Sequence, residues 1–237
     1  MVGIIHSYES LAAVDGEGLR FCVFLAGCPL RCIYCHNPDT WDKNGKKVSA
    51  EELIQKLKRY RSYFGEKGGV TFSGGEPLQQ AEFLVEMKEL LLREKIGYVI
   101  DTSGSVLLTD SVKEVLSGSQ EVLLDLKFWD DASYRSFTGG SIDNTLKTLD
   151  YLESINKPTV IRTVIVPGIN DTEQALSRYF SMIKGKKFVK RYELLGFHTM
   201  GFFKYNNLGI DNPLKEIKSM DRERLKQLQL FVNKKVQ

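Results

Sequence analysis

Six short runs rich in apolar and β-branched residues punctuate this chain: "RFCVFLA" (20–26), "GVTFS" (69–73), "YVIDTS" (98–103), "EVLLDLK" (121–127), "TVIRTVIVP" (159–167) and "RYELLGF" (191–197). Each reads as a buried strand. Between and after them lie stretches with apolar residues at helical spacing. "SAEELIQKLKRYRSYF" opens at Ser49, with Glu52 three residues on, a capping-box pattern. "QQAEFLVEMKELLLREK", "SIDNTLKTLDYLES", "TEQALSRYFSMIK" and "DRERLKQLQLFVNKK" show the same periodicity. Strands alternating with helices imply βαβ units and a parallel sheet. About six units fit, fewer than the eight of a closed barrel. The expected fold is therefore α/β, a partial (β/α)6 TIM-like barrel, with a doubly wound sheet as the alternative. The 237 residues contain no linker, repeat or low-complexity tract, so one domain over 1–237 is expected.

The polar residues favour the partial barrel. Ser73-Gly74-Gly75-Glu76, Asp101-Thr102, Asp125-Lys127, Arg162 and His198 all fall at or just past a strand's last residues. In a barrel those ends converge on one rim, where such folds place their chemistry. Singly, each has an ordinary explanation: a tight turn for Gly74-Gly75, loop caps for the aspartates, a loop histidine for His198. Their shared position points to one site.

Three of the four cysteines, Cys28, Cys32 and Cys35, stand in "GCPLRCIYCHNPDTW". Structural disulfides are disfavoured in a reducing compartment, and three thiols leave one unpaired. Zinc wants four closed ligands, and His36 directly follows Cys35, an awkward place for a fourth. A nucleophilic cysteine needs a base and an orienting group rather than two neighbouring thiols. An iron–sulfur cube usually takes four thiolates. Three would leave one iron open, and an open metal position is where substrate chemistry occurs. The cluster fits best, with zinc as the competing metal. Cys22, in mid-strand, reads as a buried small hydrophobe.

Composition is that of an ordinary globular chain, 42% hydrophobic and 27% charged, with net charge +3. That charge is too weak to argue for nucleic acid. No apolar run is long enough to span a bilayer, and no secretory signal pattern opens the chain. The expected compartment is the cytoplasm. The basic run "KGKKFVKR" (184–191) reads as a solvated loop, or else as a docking patch for an acidic protein.

C-x3-C-x2-C with Tyr34 before the last cysteine, and "SGGEP" after the next strand, resembles the signature of the radical S-adenosylmethionine (SAM) enzymes. The likeness is tighter to the pyruvate formate-lyase activating enzymes. "IHSYESLAAVDGEGLRFCVFLAGCPLRCIYCHNPDTWD", "GGVTFSGGEPLQQAEF", "IDTSG", "LLDLK", "VIRTVIVPGIND" and "YELLGFHTMGFFKY" fall in order at that family's motif positions. Activators of related enzymes that carry extra cysteine clusters are a poorer match, because only four cysteines are present.

The resemblance implies a radical SAM fold and a [4Fe-4S] cluster held by Cys28, Cys32 and Cys35. It implies SAM bound at the open iron, and hydrogen abstraction from a glycine of pyruvate formate-lyase. Flavodoxin or ferredoxin would supply the electron, and a monomer is expected. Activation of another glycyl radical enzyme, or a small-molecule substrate, is the alternative. By the same resemblance Tyr34, Cys35, His36, Gly74, Gly75, Glu76, Asp125, Leu126, Lys127, Arg162 and His198 are the expected SAM-binding set. Lys127 and His198 stand closest to the chemistry. Asp101, Thr102, Leu123 and Asp125 are the expected ligands of a monovalent cation, Na+ or K+. Trp41 and Trp129 are candidate walls of the site. The segment from 197 onward, irregular to about 215 on its pattern, is expected to cover the site and meet the partner. Within it Asn212 stands where the family often has a tyrosine.

Overall fold

The computed structural model describes residues 1–236. The six expected strands form as β2 (Arg20–Leu25), β4 (Gly69–Gly74), β5 (Gly97–Thr102), β6 (Glu121–Asp125), β7 (Thr159–Ile165) and β8 (Val189–Gly196). They run parallel and in chain order. Two further strands extend the sheet beyond β2: β1 (Val2–Ala12), antiparallel to it, and the short β3 (Lys46–Ser49), antiparallel to β1. The order is β3-β1-β2-β4-β5-β6-β7-β8, an open, partial barrel rather than a doubly wound sheet.

The helices are α1 (Ala50–Lys58), α2 (Arg61–Phe64), α3 (Ala81–Arg93), α4 (Asp110–Gly118), α5 (Asp131–Thr138), α6 (Asp143–Ser154), α7 (Glu173–Ile183), α8 (Phe202–Leu208) and α9 (Arg222–Val236). The single helix expected over 49–64 breaks at Arg59-Tyr60 into α1 and α2. Ser49 caps α1 as its sequence predicts, accepting from the Glu52 N–H at 3.1 Å. The Glu52 carboxylate instead pairs with Lys46.

Period-2 alternation divides every central strand between two faces. Val70, Phe72, Tyr98, Ile100, Val122, Leu124 and Ile161 join the large core beneath the helices. Val99, Leu123 and Val160 turn the other way and form a separate apolar floor inside the barrel. Two residues along each of these strands, on the same inner face, stand Asp101, Asp125 and Arg162. The floor is apolar and the layer above it is charged. Register holds the layer together: Asp125 pairs with Arg162 across β6 and β7, and Asp101 lies opposite Leu123. No helix among the described residues is long and apolar enough to cross a membrane.

Candidate active site

A cleft of about 240 Å³ opens above the charged layer. Its two walls have different origins. One consists of the C-terminal ends of β4 to β8: Ser73, Gly74, Gly75, Asp101, Thr102, Ser103, Asp125, Lys127, Arg162, Val164 and Leu195. The other is the loop 27–41, contributing Cys28, Cys32, Tyr34, Cys35, His36 and Trp41.

The loop is long but well tied. Gly27 N–H and Cys28 N–H donate to the carbonyls of Thr40 and Trp41 at 2.8 and 3.0 Å, closing its base. Arg31 and Ile33 donate to Thr138 and Phe137 at the end of α5, at 2.7 and 3.0 Å. Leu30, Cys32 and Tyr34 alternate into a second core with Phe128, Tyr134 and Phe197. No disulfide links the three cysteines. Burial pushes the thiols up, to about 11 for Cys28 and about 12 for Cys32, so each is neutral until a metal displaces its proton. Among the described residues no three His, Cys, Asp or Glu side chains gather about a single point as one ion would require.

On the opposite wall four charges compensate one another. Arg162 Nε donates to Asp125 Oδ1 at 3.1 Å, while its NH2 group bonds Asp101 Oδ1. Lys127 Nζ donates to Asp125 Oδ2 at 2.6 Å, and Ser73 Oγ to Asp101 Oδ2 at 2.7 Å. Burial raises the Asp125 carboxyl, but Lys127 and Arg162 outweigh it and hold the group below its ordinary range. Asp101 has only one cation and faces Asp125. Burial dominates there and lifts it to about 6. Burial opposes the charge on Lys127 and Arg162, yet their aspartates keep both firmly protonated. Arg162 thus spans the two carboxylates expected to hold a monovalent cation. Thr102 lines the same cleft, and its hydroxyl donates to Glu76 and accepts from Gly104 N–H. Leu123, of which only the backbone carbonyl is expected as a ligand, lies opposite Asp101 across β5 and β6 with its side chain in the barrel floor.

Glu76 lines nothing. It is fully buried and braces the turn after β4. Its carboxylate accepts from Thr102 Oγ1 (2.6 Å), Leu78 N–H (3.1 Å), Ser103 N–H (2.9 Å) and Ser103 Oγ (2.6 Å). Its own N–H donates to the Gly27 carbonyl at 2.8 Å, tying the strand-end wall to the loop. Gly75 sits in that junction, where a Cβ would meet the carbonyl oxygens of Gly27 and Thr40. Gly74 has φ +113°, open to glycine alone among common residues.

Besides Glu76, two more expected residues stand behind the cleft rather than in it. Leu126 is buried in the main core. His198 stacks on His36 with ring centroids 3.7 Å apart, so it supports His36 from outside. Trp41 lines the cleft, and Trp129 packs against Tyr179 instead. Ser103, Val164 and Leu195 also line it, although the sequence did not single them out. Period 2 carries the missing signal for Val164, which lies two beyond the inward-facing Arg162.

The donor set suits a cluster with one open iron: three cysteines free of disulfides on one wall, and the Gly74-Gly75 turn lining the other. Two buried polar atoms of the lining residues, Tyr34 Oη and His36 Nε2, have no hydrogen-bond partner. Buried polar groups are rarely left so, and a bound polar ligand would answer them.

The sequence profile of the radical SAM superfamily matches residues 22–179. The pyruvate formate-lyase-activating enzyme of Clostridium pasteurianum is 42% identical over 234 residues, covering 98% of each chain. The pyruvate formate-lyase 1-activating enzyme of Escherichia coli K12 is 37% identical, covering 96% of this chain and 94% of that one. Among solved structures, a domain of the pyruvate-formate lyase-activating enzyme from Bacteroides vulgatus superposes with a TM-score of 0.58 at 22% identity, over 71% of this chain and 95% of that one. Streptococcus suis SuiB bound to S-adenosylmethionine gives 0.65 at 21% identity, over 87% of this chain and 44% of that one. Both likenesses bear on the fold alone.

Proposed function

Because this chain belongs to the radical SAM superfamily and, within it, to the pyruvate formate-lyase-activating enzymes, we propose that it activates pyruvate formate-lyase by abstracting a hydrogen atom from a glycine of that partner. One observation carries the reading: three unpaired cysteines form one wall of the same cleft that receives the strand-end charges. Cys28, Cys32 and Cys35 would hold a [4Fe-4S] cluster, and the position left open on its fourth iron would take SAM. When bound, the reduced cluster would pass one electron to SAM, whose C–S bond would break to give methionine and a 5′-deoxyadenosyl radical, the hard chemistry that a protein scaffold does not itself carry.

The chain's own residues supply position and exclusion of water. Lys127, buried and permanently charged, offers a donor for a carboxylate. Gly74 and Gly75 admit close approach of backbone to ligand. Tyr34 and His36 present unpartnered polar atoms, and His198 steadies the His36 ring. Glu76 and Leu126 act from behind, as braces of the turn and strand that present the donors. A Na+ or K+ ion in this reading draws on Asp101 and Asp125 and competes with Arg162 for them. The sheet does not close, with β3 and β8 at its ends. Its open side is the entry for a glycine-bearing loop. Residues 197–236 complete the same domain as its cover, and Gln237 lies outside the described residues. Flavodoxin or ferredoxin is the electron source in this reading, the compartment the cytoplasm, and the chain a monomer.

Anaerobic purification tests the cluster: a brown protein with about four irons per chain is expected, and a colourless protein with one zinc overturns it. Mixing reduced protein, SAM and pyruvate formate-lyase tests the reaction. A glycyl doublet in the electron paramagnetic resonance spectrum is the expected result. SAM cleavage without any protein radical overturns it in favour of a small-molecule substrate.

A further inference from the structure

The superfamily match ends at residue 179, yet α8 and the glycine before it, beyond that point, touch the cysteine loop at Cys35, His36, Asn37, Asp39 and Trp41. Tyr205, 1% exposed, donates its hydroxyl to the Cys35 carbonyl at 2.9 Å. Lys204 Nζ donates to Asn37 Oδ1 at 2.7 Å and lies 2.9 Å from Asp39 Oδ2. Gly201, just before the helix, packs on His36 so closely that a Cβ would meet the His36 carbonyl oxygen at 2.5 Å. The spacing 201, 204, 205 is that of one helix face. Residues on the opposite side, Phe203 and Asn206, are exposed. Trp41, which closes the loop's base by accepting from Cys28 N–H at 3.0 Å, meets the Tyr205 ring edge-on at 6.1 Å. One tyrosine therefore touches both the last cysteine and the residue that anchors the first.

We propose that Tyr205, assisted by Lys204, is a positioning residue for the cluster: it fixes the Cys35 backbone and so the geometry of the wall that bears the three thiolates. The proposal rests on the cluster reading above. The physical reason is local. Cys35 follows a tight turn in which its N–H bonds the Cys32 carbonyl. Its own carbonyl has Tyr205 as the donor that orients the peptide plane. Without it, the peptide between Cys35 and His36 is free to rotate, and both residues face the cleft.

The test compares wild type, Tyr205→Phe, Lys204→Met, Lys204→Arg and Phe203→Ser, the last on the exposed face. Each is reconstituted anaerobically. Iron per chain, the rate of iron loss to a chelator, and the paramagnetic resonance spectrum of the reduced cluster with and without SAM are then measured. Tyr205→Phe is expected to load the cluster but lose it about fivefold faster, the ratio that loss of one ordinary hydrogen bond gives. Its spectrum should shift or broaden on SAM addition where the wild type gives one sharp species. Lys204→Met should follow in the same direction, Lys204→Arg should restore most of the effect, and Phe203→Ser should match wild type. If Tyr205→Phe does not fold, the lysine pair decides alone. Wild-type chelation rate and spectrum in Tyr205→Phe, or in Lys204→Met, overturn the positioning role. A wild-type chain that takes up no cluster overturns the function proposed above instead.

Discussion

The two walls of the cleft are built on opposite physical plans. The strand-end wall consists of residues whose direction is set by the pleat, in a rigid parallel sheet. Its charges satisfy one another within the protein: Asp101, Asp125, Lys127 and Arg162 bond among themselves. Apart from one 3-10 turn at Pro38–Thr40, the loop wall has no regular structure to direct its side chains. It is held by backbone bonds to α5 and to its own base and by side-chain bonds from α8, while Tyr34 Oη and His36 Nε2 have no hydrogen-bond partner. One wall pairs its charges within itself, and the other carries the three cysteines free of disulfides. Substitutions should therefore split into those that abolish loading and leave stability alone, and those that do the reverse.

Cys32→Ala should show the first behaviour at its extreme. Iron content and radical formation should fall to background, while the circular dichroism spectrum and urea midpoint stay near wild type. Radical formation at the wild-type rate would remove Cys32 from the cluster.

Arg162→Met should show the second. It strands two buried carboxylates, and breaking a buried pair in this way costs about 3–5 kcal/mol. Urea unfolding measures this, and a change below about 1 kcal/mol would mean that the aspartates do not depend on Arg162. Arg162→Lys should recover only part, since one ammonium does not span both carboxylates as the guanidinium does.

Glu76 joins the walls, so Glu76→Gln should touch both. The new amide cannot accept all four bonds, and a loss of about 1–3 kcal/mol is expected, together with weaker retention of iron. Iron retention equal to wild type would show that the turn after β4 does not govern the loop.

The smallest effect is a pH dependence. Burial lifts Asp101 to about 6 from an ordinary 3.8. Between those values the folded chain holds a proton that the unfolded chain has released. This group's contribution therefore favours the fold as pH falls from about 6 toward 4, and disfavours it above. Depressed carboxylates such as Asp125 and Asp131 act in the opposite sense, so the net curve is a mixture. The difference between wild type and Asp101→Asn isolates the group: the wild type should gain on the variant between pH 7 and pH 5. No relative change would place Asp101 in its ordinary range, governed by Arg162 rather than by burial.

Much of this architecture was legible because it depends on short periods. Parallel strands packed under helices are rich in apolar residues, so the six parallel strands appear as runs. The two antiparallel strands beyond β2 do not. β1 carries His6, Ser7, Glu9 and Ser10 among its apolar residues, and β3 is only four residues with Lys46 and Lys47 exposed. Their half-open faces erase the pattern. The helix α8 was missed for a related reason: its inner face meets a loop through Gly201, Lys204 and Tyr205, and leaves no apolar stripe to read.

Local chemistry was thus written into the chain itself: three thiols within eight residues, glycines where backbone must approach, and aspartates two positions beyond the apolar floor. Those features depend on neighbours in sequence and on a strand's alternation, which any reader of the residues can count. Which groups face one another was settled only by the fold. Arg162 reaches Asp101 across 61 residues and Asp125 across 37, Tyr205 reaches Cys35 across 170, and His198 lands behind His36 rather than inside the cleft. Contacts at such separations follow from strand order, register and packing of the whole sheet, none of which a local pattern encodes.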